Sequence, residues 1–437
     1  MTEINRTILN EWKERILPEV IVREVDLLNY TDFKPNKVIV ITGFRRTGKT
    51  YLLFHLIQGL LKEKSKEQIV YINFEDERVP LKTEFLTNLL LAIKQTYNKP
   101  LEFLFLDEIH NIPEWSKWLR RIHDTEKIRI FVTGSSSKMS SKEIPTELRG
   151  RFIEIKVLPL SFKEYLRFKN VNINLKIADQ SENEKAKIIK AFNEYLEIGG
   201  MPEVVLADEA RKIDIIHNYY NTVIRRDIIE RFKIRNEESL KALLNLLLNS
   251  TSYSISKLYN TLKSLNFEVG KGTIQSYLSY IENSYFLYSL PLFSFKIKDQ
   301  LQYPRKIYII DNGFITALSS KFSKNLGRLY ENLVFLELKR RSAEDQKQEI
   351  YYWRNQQKEE VDFIINQGLK VRQLIQTCYD ITDYDTKKRE VKALLKASKE
   401  LKCNNLLIIT EDKEGWEKAE NKKIRYLPLW KWLLENA

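Results

Sequence analysis

The sequence predicts an α/β protein whose N-terminal part is a parallel β-sheet with helices on both faces. Three observations carry that expectation. Near-continuous apolar runs occur at KVIVITGF (37–44), LEFLFLDEIH (101–110) and IRIFVTGSSS (128–137); a glycine-punctuated loop follows the first run at once; and the amphipathic stretch YLLFHLIQGLL follows that loop. Strands covered on both faces read as unbroken apolar runs rather than alternating ones, which marks a parallel sheet.

The loop is Gly43-Phe44-Arg45-Arg46-Thr47-Gly48-Lys49-Thr50, a full match to G-x-x-x-x-G-K-[ST] in the strand, loop, helix context that this motif requires. Its two glycines let the backbone curl until N–H groups surround phosphate oxygens, and the following helix adds partial positive charge there. Lys49 is expected to reach the β- and γ-phosphates of ATP, and the Thr50 hydroxyl to ligate Mg²⁺. Residues 43–50 with the adjoining Tyr51 form the expected nucleotide-binding set.

The second apolar run ends in Asp107-Glu108. Asp107 is expected to hold magnesium through water, and Glu108 to polarise the attacking water as general base. The third run ends in Thr133-Gly134-Ser135-Ser136. Thr133 or Ser135 either contacts the γ-phosphate or lytic water at the carboxyl edge of the sheet, or belongs to a plain turn. Arg149-Gly150-Arg151 precedes the strand FIEIKVLPL. Two readings stand open for these arginines: neutralising transition-state charge in a neighbouring subunit's site, which makes the protein a homo-oligomer, or simple solvation.

Composition bounds the rest. A chain of 437 residues with 43% hydrophobic content holds roughly two to four domains. Cys378 and Cys403 lack metal-ligand spacing, so neither a disulfide framework nor a zinc site is expected, in keeping with a reducing, cytoplasmic setting. No apolar run approaches the ~20 residues of a membrane span. The net charge of +13, within 30% charged residues, suits either a polyanionic partner or a solvated Lys/Glu-rich surface.

Further along, Arg225-Arg226-Asp227 lies in a helical pattern and reads as an ion-pair cluster or as a nucleotide or interdomain contact. Short helices beginning at Ser254 and Gly270, then strands at Tyr285–Leu292 and Lys306–Ile310, read as a winged helix. Lys271, Thr273, Gln275 and Ser276 would face a DNA major groove, although such modules also bind proteins. Helix Thr386–Leu401 and strand Asn405–Thr410 form a later α/β layer, with Trp416, Trp430 and Trp432 read as packing residues.

The order of motifs, phosphate loop, Asp107-Glu108, Thr133–Ser136, Arg149–Arg151 and Pro159–Glu164, resembles that of archaeal and bacterial AAA-type ATPases carrying a C-terminal DUF4143 domain. The resemblance extends over nearly the whole chain. It implies a RecA/AAA-like core, a helical lid whose glycine-glycine-proline signature matches Gly199-Gly200-Met201-Pro202, and a restriction-endonuclease-like α/β domain at the C-terminus. The domain plan is then 1–185 for the core with an N-terminal extension, 186–240 for the lid, 241–320 for the winged helix and 321–437 for the nuclease-like domain. In that last domain the resemblance maps metal positions onto Glu331 and Asp362, while Gln376 and Cys378 stand where an active nuclease has Glu-x-Lys. A neutral amide is a poorer Mg²⁺ ligand and a thiol cannot replace an ammonium, so this site reads as vestigial. The leading functional expectation is an ATPase acting on DNA; the alternatives are a nucleotide-regulated signalling or defence switch on a protein partner and an ATP-gated nuclease.

Overall fold

The computed structural model describes residues 3–134, 148–173, 181–319, 325–344 and 347–435. The chain forms two compact units, Met1–Val157 and Leu158–Ala437.

In the first unit, strands β1 (Val38–Gly43), β2 (Ile69–Asn73), β3 (Phe103–Asp107), β4 (Arg129–Gly134) and β5 (Phe152–Val157) pair in the order β2-β3-β4-β1-β5. Every pairing is parallel, as in RecA/AAA-type cores. Helices α1 (Glu3–Glu14), α2 (Lys49–Leu60), α3 (Thr83–Thr96) and α4 (Trp115–Thr125) flank the sheet. The period of two along each strand feeds both faces. Val38, Val40, Leu104 and Leu106 join one core with residues of α3 and α4, whereas Ile39, Ile41, Phe103 and Phe105 join the other with residues of α2. Trp12 on α1 donates its indole N–H to the Ile69 carbonyl at 2.7 Å, tying the N-terminal extension to β2.

Parallel strands place all their carboxyl ends on one edge. Gly43, Asp107 and Thr133, distant in sequence, therefore arrive at the same edge. Arg149 and Arg151 lie at the other end, because β5 starts at Phe152 opposite Val38, the first residue of β1.

The second unit opens with a helical region: α5 (Phe162–Phe168), α6 (Glu182–Ile198), α7 (Pro202–Leu206) and α8 (Glu209–Thr222), which runs into a π-helical segment at Val223–Glu230. Ser161 and Glu164 form a reciprocal capping box on α5. Within the π-helical segment Arg225 pairs with Glu230 at 3.2 Å and Asp227 is buried, which favours the ion-pair reading.

A three-stranded antiparallel sheet follows, β6 (Ser252–Tyr253), β7 (Leu287–Leu290) and β8 (Arg305–Ile309), in the order β6-β8-β7. Helices α9 (Glu237–Leu248), α10 (Ile255–Ser264) and α11 (Lys271–Asn283) accompany it, and α12 (Ile297–Gln302) lies between β7 and β8. Ser254 caps α10 through the Lys257 N–H. After α13 (Asn312–Leu318) and α14 (Leu326–Glu344) comes a mixed six-stranded sheet. Its strands are β9 (Gln348–Arg354), β10 (Glu360–Gln367), β11 (Lys370–Thr377), β12 (Leu406–Thr410), β13 (Gly415–Ala419) and β14 (Lys422–Pro428), ordered β13-β14-β12-β11-β10-β9. Helix α15 (Tyr384–Leu401) supplies core residues to this sheet, and α16 (Leu429–Leu434) ends the described chain.

One expectation is corrected here, and one element went unread. Trp416 is exposed on the edge strand β13, although Trp430 and Trp432 are buried as expected. The hairpin β13–β14 itself was not anticipated, because its charged sequence (GWEKAENKKIRYLP) has no strong apolar alternation.

Gly199-Gly200 does more than separate two helices. Gly199 has φ +77°, and a Cβ there would meet the Asp311 carboxylate at 1.8 Å. Gly200 donates its N–H to Asp311 at 2.6 Å, and Gly313 donates to the same side chain at 2.9 Å. Burial pushes the Asp311 carboxyl up to about 7 from an ordinary 3.8, although both N–H donors favour its charged form. The folded protein thus keeps a proton that the unfolded chain releases, so this group's contribution is most favourable in acid and falls as pH rises from about 4 to about 7. Urea unfolding of the wild type should show that loss between pH 4 and 7, and Asp311→Asn should flatten it. An unchanged slope in the variant would contradict the assignment.

Candidate functional site

The carboxyl edge of the first unit's sheet assembles the expected nucleotide residues. Gly43 (φ +147°) and Gly48 (φ +93°) shape a loop that leads directly into α2. A Cβ on Gly43 would lie 2.3 Å from the Val157 carbonyl oxygen, so only glycine lets β1 pass β5 there. The ammonium of Lys49 is buried and folded back over the loop, donating to the carbonyls of Phe44 at 3.2 Å and Gly43 at 3.3 Å. The Thr47 hydroxyl also donates to Phe44, at 2.8 Å. Arg23, from the N-terminal extension, donates to the Thr47 carbonyl at 2.9 Å and braces the loop from behind. Arg45 lies 3.6 Å from Glu75, whereas Arg46 and Tyr51 are exposed.

Asp107, at the end of β3, collects three hydroxyl donors. Thr50 donates to Oδ2 at 2.8 Å, Tyr71 donates to Oδ2 at 2.7 Å, and Thr133 donates to Oδ1. Burial raises the Asp107 pKa and the nearby Glu108 adds to this, while the three hydroxyls pull the other way. Thr133 Oγ1 also accepts the Glu108 N–H at 2.9 Å. Thr133 is therefore a buried brace for the Asp-Glu pair. Glu108 adopts φ +55°, a left-handed conformation uncommon for a residue with a long side chain and of the kind found at functional sites. Its carboxylate lies 3.9 Å from the Lys49 ammonium and 3.1 Å from His110 Nδ1.

A hydroxyl and a carboxylate at hydrogen-bond distance are hard oxygen donors of the type that Mg²⁺ prefers, and that ion takes only one or two protein ligands beside water and phosphate. The residues present thus fit a magnesium–triphosphate ligand. Ser135 lies outside the described residues. Arg151 pairs with Asp124 at 3.0 Å and Arg149 is exposed, both at the edge opposite the loop, so neither belongs to this chain's own site. Sequence reasoning missed Tyr71, whose hydroxyl reaches Asp107 because Asn73 and Asp107 are in register on neighbouring strands.

In the second unit Glu331 of α14 and Asp362 of β10 do converge, but on an ammonium. Lys306 of β8 is 2.9 Å from Glu331, 2.7 Å from Asp362 and 2.8 Å from Glu360. Burial opposes the charge on Lys306, yet the surrounding carboxylates more than offset it and hold its pKa well above the ordinary lysine range. Tyr308 donates to Glu331 at 2.7 Å, and Asp362 accepts the Thr377 N–H at 2.8 Å. The Gln376 amide is engaged with the Asp362 N–H and with Glu390. Cys378 is buried. Among the described residues no group of three or more His, Cys, Asp or Glu side chains is arranged to hold a metal. At the positions read as a vestigial Glu331–Asp362–Gln376 metal set, a lysine from another strand lies between the two acids. The one signal in the sequence was a charged pair, Arg305-Lys306, opening an otherwise apolar strand.

No helix among the described residues is long and apolar enough to cross a membrane. Comparison with known proteins places these features. The AAA domain family model matches residues 35–166; two further models match residues 189–325 (a domain of unknown function, DUF8612) and 326–432 (a domain of unknown function, DUF4143). The uncharacterized protein MJ1544 of Methanocaldococcus jannaschii is 43% identical over 413 residues, spanning 92% of this chain and 89% of its own length. An uncharacterized protein of Haemophilus influenzae is 32% identical over 327 residues, 74% of this chain and 79% of its own. Among solved structures, the Aeropyrum pernix Orc1 protein in complex with DNA aligns with 72% of this chain and 95% of that one, at 15% identity and a TM-score of 0.33, a likeness too low to bear on function. Relatedness to the Methanocaldococcus jannaschii protein over 92% of this chain, together with the matched domains, makes this chain a member of the family of AAA-domain proteins with a C-terminal DUF4143 domain.

Proposed function

We propose that the chain is a Mg²⁺-dependent ATPase whose turnover is coupled to binding DNA. One observation carries the ATPase reading: Lys49, Thr50, Asp107 and Glu108 meet at one sheet edge, with Thr50 hydrogen-bonded to Asp107 and the Lys49 ammonium held over the loop. Phosphate oxygens would take over the ammonium from the loop carbonyls, and the loop N–H groups would surround them. Magnesium, held by Thr50 and through water by Asp107, would neutralise charge on those oxygens. Glu108 would orient the attacking water and accept its proton, with Thr133 fixing the backbone from which it projects. Arg149, exposed at the far edge, would act only in a neighbouring copy's site, the reading under which the protein is a homo-oligomer.

The DNA reading rests on the region 241–320, read as a winged helix. Its support is the helix-strand-helix-helix order with the antiparallel β6-β8-β7 sheet, and the exposure of Lys271, Thr273, Gln275 and Ser276 along one side of α11. The net charge of +13 agrees with a polyanionic partner. In the same plan residues 1–185 are the core, 186–240 the lid and 321–437 a restriction-endonuclease-like domain that binds rather than cuts, since Lys306 already neutralises its acids.

Phosphate release measured with and without a 30-base-pair duplex tests the coupling. Stimulation of at least about threefold that fades with added salt is the expected result. Equal turnover with and without DNA would reject it in favour of a nucleotide-regulated switch acting on a protein.

A further inference from the structure

The connection between β7 and β8 exposes an unusual amount of apolar surface. Phe295 is 82% exposed, Ile297 74%, Leu301 67% and Tyr303 50%, all within nine residues. Long apolar side chains gathered at one exposed tip cost solubility and mark a contact surface.

The tip is presented by a built support rather than by a loose loop. At its base, the Phe293 N–H donates to the Tyr352 carbonyl at 2.6 Å, the Tyr352 N–H donates to the Pro291 carbonyl at 3.1 Å, and the Tyr352 hydroxyl donates to the Pro304 carbonyl. Both ends of the connection are thus anchored on β9. Inside it, the Ser294 hydroxyl donates to Asp299 at 2.9 Å and accepts the Lys296 N–H at 3.0 Å, while Gln300 donates to the Ser294 carbonyl at 2.8 Å. These bonds hold α12 in shape while its apolar residues remain in water.

The charge of the tip selects the partner. Lys296 and Lys298 are exposed between Phe295 and Leu301, so the apolar group is interleaved with ammonium groups. Apolar wedges flanked by lysine are the pattern by which proteins enter a groove between base steps: the cations bind phosphates while the wedge unstacks the bases. The same sheet follows α11, whose exposed Lys271, Thr273, Gln275 and Ser276 can hydrogen-bond to bases, whereas a lipid surface would need no such row.

We infer that the β7–β8 connection is a DNA wedge, with Phe295, Ile297 and Leu301 inserting at a base step and Lys296 and Lys298 clamping the neighbouring phosphates. The inference rests on the DNA-binding reading above and adds that the bound duplex is deformed.

The test uses the full chain and a 30-base-pair duplex carrying 2-aminopurine, a base whose fluorescence rises on unstacking. Binding is followed by anisotropy in parallel. The wild type should bind and raise the fluorescence. The double variant Phe295→Ser/Leu301→Ser, at exposed positions and checked by its melting temperature, should bind about tenfold more weakly and show no rise at saturation. Lys271→Ala should weaken binding yet keep the rise once saturated. A wild type that does not bind duplex overturns the DNA reading and the wedge with it. Binding without any rise, or an equal rise in the double variant, overturns the wedge alone. So does loss in the double variant of self-association or of binding to phosphatidylglycerol vesicles while the DNA signals stay unchanged, since the tip would then serve a second copy or a lipid surface.

Discussion

Lys49→Ala is expected to lower ATP turnover by about 100- to 1,000-fold, because it deletes the buried ammonium that, in the proposed mechanism, would reach the transferring phosphoryl group. Glu108→Gln is expected to reduce turnover by a similar or larger factor of about 10²–10⁴ while leaving nucleotide affinity nearly intact, since the amide keeps the shape of the carboxylate but cannot take a proton. The two variants therefore separate binding from chemistry. Calorimetry should find weakened association for Lys49→Ala and near wild-type association for Glu108→Gln. Phosphate release from Lys49→Ala within threefold of wild type would remove the phosphate loop from the mechanism. The 3.9 Å approach of Lys49 to Glu108 adds a detail: a bound triphosphate would draw the ammonium away and free the carboxylate for the water.

Lys306→Met carries the largest expected effect on stability. It retains the aliphatic stem but strips the cation from Glu331, Glu360 and Asp362, and breaking such a buried ion cluster from one side costs about 3–5 kcal/mol. Burial already raises the Asp362 carboxyl to about 7 despite the Lys306 ammonium, and Glu331 pushes it the same way. Without the ammonium it rises further, so the damage should be greatest above pH 7 and shrink as the carboxyls take up protons in acid. Urea unfolding monitored at pH 5.5 and pH 8 checks both the size and the sign. Adding Asp362→Leu should recover part of the loss, because an apolar replacement relieves an uncompensated buried charge. A variant as stable as wild type at pH 8 would show that the cluster does not hold β8 to the C-terminal sheet.

The division between what was legible in the sequence and what was not follows from the range of each interaction. The phosphate loop, Asp107-Glu108 and the strands that carry them were legible because each depends on contiguous residues: β-branched runs, glycines at fixed spacing, and a helix following directly. Helices α10 and α11 and strands β7 and β8 were read for the same reason, from caps and short-range pattern, whereas the short β6 and α12 were not. Helix exposure then agreed at Lys271, Thr273, Gln275 and Ser276. The exposed Trp416 was misread because a tryptophan's burial depends on what lies across from it, and an edge strand offers nothing there.

By itself, then, the sequence determined the local chemistry: a phosphate-loop motif, an acidic strand end, an α/β plan and a net positive charge. Only the tertiary structure decided which distant groups complete those sites. Strand order brought Tyr71 and Thr133 onto Asp107, sent Arg149 and Arg151 to the opposite edge, and set Lys306 among Glu331, Glu360 and Asp362. Packing made Gly199-Gly200 a seat for Asp311. Each of these pairings is fixed by register and close packing between elements far apart in the chain, and no short-range pattern encodes that geometry.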